Sequence, residues 1–290
     1  MRLPSPQGVD EFQLEFEDVE LGVMRVRCFR FADGVRDPEN TVVCIHGMAA
    51  SGVSFARLRP MAARYDFRFL SAPVDGYPGD SVGSFAEAVR EYLGRFDRPV
   101  LMGTSWGGLV SLAAAHEASS TLSGLVLTGA FARNTIVPRS LAFTKRLLTA
   151  AQKVAPMAAP VSARFVGGFG IDRSALRELT REAREVTIRE RTRRLRDVFA
   201  SDLRKDAESI HVPSIVIHGT ADRLVTTRDA RELADCLPDS TYREIEGAGH
   251  TPYLSHPLIF NQLLSEFLEC RLGEASESIR SSLASDRGSE

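Results

Sequence analysis

The chain has 290 residues, 43% of them hydrophobic and 26% charged, with a formal net charge of −2. That length holds one large α/β domain or two small ones, and the charge argues against a nucleic-acid binder driven by phosphate contacts. Cys28, Cys44, Cys236 and Cys270 are scattered and form no CxxC pair, which argues against a disulfide framework or a zinc site. The first residues lack the apolar stretch of a signal peptide, and the uncharged run 99–116 is too rich in glycine and serine for a membrane span. A cytoplasmic location is therefore expected, with no metal or organic cofactor.

In chain order, residues 12–16 and 23–31 read as paired strands around a turn at Leu21-Gly22. Short apolar runs then alternate with helical patterns. Strands are expected at 41–45, 67–70, 99–103 and 122–127, with helices at 54–64, 85–96 and 107–117. This rhythm implies right-handed βαβ units and a mostly parallel sheet. It breaks after Phe131. Residues 134–209 show no buried strand, only an Ala/Pro-rich part and an arginine-rich helical part. The strand pattern resumes at 213–217, followed by a helix at 228–236, a strand at 242–245 and a last helix at 256–268. The expected organisation is an α/β core in two parts, 1–133 and 210–271, with a helical cap inserted at 134–209. The serine-rich tail 272–290 buries too little to offset ordering entropy and is expected to be disordered.

Gly103-Thr104-Ser105-Trp106-Gly107 fits G-x-S-x-G between a strand and a helix, the pattern of a nucleophile elbow. Such a turn holds the serine in strained geometry and projects its hydroxyl past the sheet edge. Glycines two residues away on each side are needed because side chains there would clash. A plain strand-to-helix turn and a phosphate loop are the competing readings, but a dinucleotide loop would carry glycine where Ser105 stands.

A serine hydroxyl needs a base, and the base an orienting acid. The fold expects the chain order Ser, Asp/Glu, His. Asp222 follows a late strand in 216-VIHGTADRLV-225, and His250 follows the last strand in 246-EGAGHTP-252. His218 ends a strand and reads as packed, His116 and His211 carry no motif, and His256 begins the last helix. Asp75 and Asp80 follow too early a strand to serve as the acid. An oxyanion hole needs two donors. The backbone N–H of Trp106 is one, and the N–H of Met48, in 45-IHGMAASG-52, is the natural second.

His46-Gly47, Gly-x-Ser105-x-Gly, His218-Gly-x-x-Asp222 and Gly-x-Gly-His250-x-Pro together resemble the motif set of the α/β-hydrolase superfamily over residues 12–270. The resemblance implies an α/β-hydrolase fold, with an eight-stranded sheet, helices on both faces and a helical cap. The loop 73-PVDGYPGDS-81 departs from the D-x-x-G-x-G-x-S that members often carry. The stretch 249-GHTPYLSHP-257 is similar to the histidine region of pimeloyl-[acyl-carrier-protein] methyl ester esterases. Those bacterial carboxylesterases present an arginine-bearing cap to an acidic carrier protein. Here Arg173, Arg177, Arg181 and Arg184 fall on one helical face, although Glu178, Glu182, Glu185 and Glu190 can pair with them in a solvated helix. Ser-Trp-Gly-Gly with 51-SGVSFARL-58 also resembles acyltransferases that join two 3-hydroxyacyl chains, a family that usually lacks the His46-Gly47 pair.

The expectation is a serine hydrolase acting on an ester or thioester, with Ser105 as nucleophile, His250 as base and Asp222 as orienter. Met48, Trp106 and Phe131 are expected to floor an apolar pocket, with Phe143, Phe165 and Phe169 above, and such a pocket suits an acyl chain. Short to medium acyl groups are expected, because the indole at position 106 takes up room. The alternatives are an esterase, thioesterase or acyltransferase directed to an acyl-carrier protein, and a non-catalytic fold that binds a ligand. The HGGP entry of proline iminopeptidases is absent.

Overall fold

Four strand segments that lie side by side in the sheet, each marked in the sequence by an apolar run, are buried on both faces, as a parallel sheet covered by helices requires. In the computed structural model, residues 12–48, 50–73, 76–133, 135, 171, 173–174, 177, 180–181 and 186–286 are described, with side chains as far as Leu272. Strands β1 (Leu14–Leu21) and β2 (Met24–Phe31) form an antiparallel hairpin turning on Gly22, whose φ is +55°. β3 (Thr41–Ile45), β4 (Asp66–Ser71), β5 (Val100–Thr104), β6 (Gly124–Thr128), β7 (Ser214–Gly219) and β8 (Ser240–Ile245) run parallel. The eight-stranded order is β1-β2-β4-β3-β5-β6-β7-β8. From β3 the chain goes first to one side and then to the other. The crevice at the C-terminal ends of β3 and β5 is thus the switch point where such sheets place their sites.

The period-two alternation of the strands divides the core. Val43, Ile45, Leu101, Leu125, Leu127 and Val216 point to the face covered by α1 (Ser81–Leu93) and α2 (Trp106–Ala118). Val42, Cys44, Val100, Met102, Val126, Ile215 and Ile217 point to the opposite face. There α6 (Pro252–Ser255) and α7 (Pro257–Asp286) pack Tyr253, Phe260 and Leu264 against them. Between β6 and β7 lie α3 (Ile188–Ala200) and α4 (Arg204–Glu208), and α5 (Thr227–Cys236) links β7 to β8.

Several boundaries differ from the sequence expectation. The helix expected at 54–64 is a 3-10 run, Gly52–Met61, capped by the Ser51 hydroxyl. Pro60 within it has no N–H to extend an α-helical ladder. α1 begins at Ser81 rather than 85, because the Asp80 carboxylate caps it by accepting the Gly83 N–H at 2.6 Å. The last helix runs Pro257–Asp286 and so continues through residues that were expected to form the tail. Leu272 is buried at the end of its described face. Among the described residues no helix is long and apolar enough to cross a membrane.

Candidate active site

β5 ends at Thr104 and α2 starts at Trp106, leaving one residue for the whole turn. Ser105 makes it at φ +55° and ψ −119°. A non-glycine residue held there is strained, and the surroundings must impose it. Its N–H donates to the Thr128 carbonyl at 3.1 Å, and its carbonyl accepts from Gly108 N–H at 2.9 Å. A Cβ on Gly103 would lie 2.5 Å from the Gly107 oxygen, and a Cβ on Gly107 would lie 2.5 Å from the His46 oxygen. Glycine at these two positions lets strand, turn and the end of β3 meet. Gly47 brings that end beside the serine, since a Cβ there would sit 3.5 Å from Ser105 Cβ.

Asp222 leaves β7 in a short turn whose N–H groups are used up. Asp222 N–H donates to Gly219 at 3.0 Å, and Ala221 N–H donates to Ala248 at 2.9 Å. This ties the loop after β7 to the loop that carries His250. His250 Nδ1 lies 2.8 Å from Asp222 Oδ2, and the side chains are 7% and 0% exposed. Asp222 Oδ1 accepts from the N–H groups of Leu224 at 2.8 Å and Val225 at 3.1 Å. Burial pushes this carboxyl up. The His250 charge and hydrogen bond, with the two N–H donors, outweigh it and hold the group below the usual carboxylate value. A carboxylate at Nδ1 keeps the proton on that nitrogen and leaves Nε2 to accept one. Thr128 and Gly129 join the two halves of the site: Thr128 holds Ser105, while Gly129 lies directly against His250.

The loop after β3 is set by His46. Its Nε2 accepts the Ala72 N–H at 2.9 Å, so Nδ1 carries the proton and donates to the Gly47 carbonyl at 2.7 Å. Burial, then the nearby Arg194 charge, lowers this imidazole to about 3 against the weaker pull of the Gly47 bond, and it stays neutral. In a trans peptide the Gly47 carbonyl and the Met48 N–H point opposite ways. Holding the carbonyl therefore aims the Met48 N–H away from His46. Among the described residues, neither Met48 N–H nor Trp106 N–H is paired with a backbone carbonyl.

Trp106 and Phe131 belong to the apolar cluster on the α1/α2 face of the sheet, and Met48 packs at its edge, partly buried. Trp106 is fully buried: its indole stacks on Phe85 with ring centres 5.9 Å apart, and lies within 6.3 Å of His46 and Tyr77. The indole is a core side chain, enclosed rather than presented at a surface. Phe143, Phe165, Phe169 and Arg184 lie outside the described residues. Arg173 and Arg177 are exposed, and Arg181 is half-buried.

The histidines set aside in the sequence have other settings. His116 contacts the Ser209 hydroxyl at 2.6 Å, and His256 contacts the Ser255 hydroxyl at 3.0 Å. His211 is exposed, and His218 is buried 4.0 Å from Asp222 Oδ2. Asp80 is the α1 cap. Sequence reasoning passed over Gly129 and Arg194. Gly129 carries a positive φ of +52°, which a Thr-Gly after a strand hints at. Arg194 sits in the run 188-IRERTRRLRDVFA-200, where nothing separates it from its arginine neighbours. In the fold it is buried, donates to the Met48 carbonyl at 2.8 Å, and lies 4.8 Å from the Trp106 ring centre.

Residues 42–263 match the family model described as the alpha/beta hydrolase family. The chain is 27% identical over 264 residues to a pimeloyl-[acyl-carrier protein] methyl ester esterase of Neisseria meningitidis, covering 80% of this chain and 95% of that protein. It is 24% identical over 258 residues to the hydrolase YugF of Bacillus subtilis, covering 79% and 90%. An esterase of Exiguobacterium antarcticum superposes with a TM-score of 0.77 at 16% identity, covering 88% of this chain and 100% of that one. A thermophilic esterase of Thermogutta terrifontis gives 0.72 at 18% identity, covering 88% and 98%.

Proposed function

The chain belongs to the alpha/beta hydrolase family, and from that membership we propose that it is a serine hydrolase cleaving a carboxylic ester or thioester of a short-to-medium acyl group. The observation that carries this reading is the 2.8 Å contact of His250 Nδ1 with an enclosed Asp222 carboxylate, with Ser105, at φ +55°, tied through Thr128 to the Gly129 that lies against His250. Ser105 Oγ attacks the carbonyl carbon as His250 Nε2 takes its proton. The oxyanion is met by the N–H groups of Met48 and Trp106. His250 returns the proton to the departing alcohol or thiol, leaving an acyl-enzyme. A water, deprotonated by His250, releases the acid and restores Ser105. General base action contributes ~10²–10⁴-fold and one oxyanion donor ~10²–10³-fold. Because Trp106 and Phe131 are both buried in the core, Met48 is the one of the three expected floor residues left to meet the acyl group.

The test is turnover of a p-nitrophenyl ester series by wild type and Ser105→Ala, with labelling by a fluorophosphonate probe. The substitution is expected to abolish both turnover and labelling while the circular dichroism stays native. Retained turnover in Ser105→Ala would sink the reading, and a non-catalytic binder would leave the wild type unlabelled.

A second reading, a carrier-linked substrate, is favoured by the match to pimeloyl-[acyl-carrier protein] methyl ester esterases and by the exposed Arg173 and Arg177. Comparing acyl esters, acyl-CoA and acyl-carrier thioesters, with and without an alcohol acceptor, separates this from a plain esterase and from acyl transfer.

A further inference from the structure

Arg194 is 4% exposed, in the segment between β6 and β7, and it reaches across to the end of β3. A buried guanidinium is costly unless its donors are used and its charge is answered. Among the described residues no carboxylate lies within ion-pair distance of it, and its Nε has no partner. Its neighbours among the described residues include the Met48 carbonyl, the face of the Trp106 indole and the Tyr77 hydroxyl. Met48 and Trp106 are the two residues whose N–H groups are read above as the oxyanion hole. Tryptophan is the strongest aromatic partner for a cation, and the attraction grows when water is excluded.

The helix that carries Arg194 is itself docked by polar contacts. The Arg193 guanidinium donates to the Tyr77 carbonyl at 2.9 Å and to the Gly79 carbonyl. The Asp197 carboxylate accepts from the Ser81 N–H at 2.9 Å and from the Ser81 hydroxyl. Residues 193, 194 and 197 thus fix one side of α3 against the loop before α1 and the loop after β3. Two neighbouring peptides after β3 are held from different directions. His46 grips the Gly47 carbonyl from within the core, and Arg194 grips the Met48 carbonyl from the inserted segment. Between those grips lies the Met48 N–H.

We propose that Arg194 is a positioning residue, which couples the docking of α3 to the geometry of the oxyanion hole by holding the Met48 peptide and the Trp106 indole together. This rests on the reading of Met48 and Trp106 as the oxyanion donors. Without the guanidinium the ester still binds, but the peptide on the C-terminal side of Met48 is released, so Met48 keeps only its His46-side anchor and its N–H is aimed less tightly. A misplacement of that size costs roughly 10²-fold in rate, and it acts on the transition state more than on ground-state binding.

The experiment measures kcat and KM of the full-length wild type, Arg194→Ala, Arg194→Lys and Ser105→Ala on p-nitrophenyl butyrate. Each is repeated with added guanidinium chloride at concentrations below those that perturb the wild type. Arg194→Ala is expected to lose roughly 10–100-fold in kcat with KM changed less than about threefold, and guanidinium is expected to restore part of the loss. A mere packing role would give neither the kcat-only loss nor the rescue. If Arg194→Ala does not fold, Arg194→Lys carries the test. One ammonium cannot both bond the carbonyl and lie flat on the indole, so a kcat loss of about tenfold is expected. Wild-type kcat in the variant that folds, a loss confined to KM, or a loss in Arg194→Ala that guanidinium leaves untouched overturns the proposal. If Ser105→Ala still turns over, the serine reading fails and this proposal falls with it. If Ser105→Ala is dead while the Arg194 variants are unimpaired, this proposal alone fails.

Discussion

Gly129 lies so close to His250 that a Cβ on it would fall 2.5 Å from the histidine carbonyl oxygen and 3.1 Å from ring Nδ1. The turn after β6 thus forms one wall of the seat in which the imidazole rests. The other walls are Asp222 and the backbone of the loop after β8. Glycine is required here twice over, once for space and once for a φ of +52°.

Gly129→Ala is therefore expected to displace His250. The strain and overlap together should cost about 1–3 kcal/mol of stability, and kcat should fall by roughly 10²-fold through misplacement of the base. Gly94→Ala is the matched control, because a Cβ there meets its nearest neighbour at 3.5 Å and φ is −61°. It should leave kcat unchanged and raise stability by a few tenths to about 1 kcal/mol. Steady-state kinetics and urea unfolding of the two variants check both statements, and equal behaviour would contradict them.

Asp222→Asn tests what the carboxylate does. The amide oxygen can still accept from Leu224 and Val225 N–H, so the loop should keep its shape. The amide NH₂ then faces His250 Nδ1, which must become the acceptor. The proton moves to Nε2, the nitrogen that in the proposed mechanism receives one from Ser105. A kcat loss on the order of 10³–10⁴-fold is expected with an unchanged fold, following the behaviour of serine triads in general. A variant with more than a tenth of wild-type kcat would show that tautomer control is not the role of Asp222.

His46 makes a prediction about acid stability. Its imidazole is lowered from 6.5 to about 3 in the fold, chiefly by burial and then by Arg194. Below pH 6.5 the unfolded chain binds a proton at this site and the folded chain does not. Stability is therefore fully present above 6.5 and declines as pH falls toward 3. The contribution approaches about 1.4 kcal/mol per pH unit, one proton's worth. His46→Gln keeps an amide able to accept from Ala72 N–H but does not titrate. Urea unfolding between pH 6.5 and 5 should give a shallower fall in stability for the variant. Buried His218, lowered in the same direction, acts in both proteins and cancels in the comparison. Parallel curves would mean that His46 takes up a proton in the folded state.

Much of this protein was legible as pattern. Period-two alternation and short apolar runs mark all eight strands, because each strand must bury side chains on alternate faces whatever its partners are. The G-x-S-x-G turn is legible for a steric reason: residues 103 and 107 have no space for a Cβ, and that demand is written directly as glycine. Asp222 and His250 follow from strand order, since parallel strands bring all their C-terminal ends to one edge. What the tertiary structure alone decided is which polar side chains that edge recruits. Arginines in 188-IRERTRRLRDVFA-200 look alike in sequence, because the stripe of Ile188, Leu195, Val198 and Phe199 says which way the helix faces but not which flanking arginine turns inward. Only packing against Met48 and Trp106 singles out Arg194 for burial. Trp106 is the converse case. Its position after Ser105 is plain in the sequence, but whether its indole faces outward or into the core depends on Phe85, Tyr77 and His46. Those three residues lie on separate elements and meet only once the sheet is assembled.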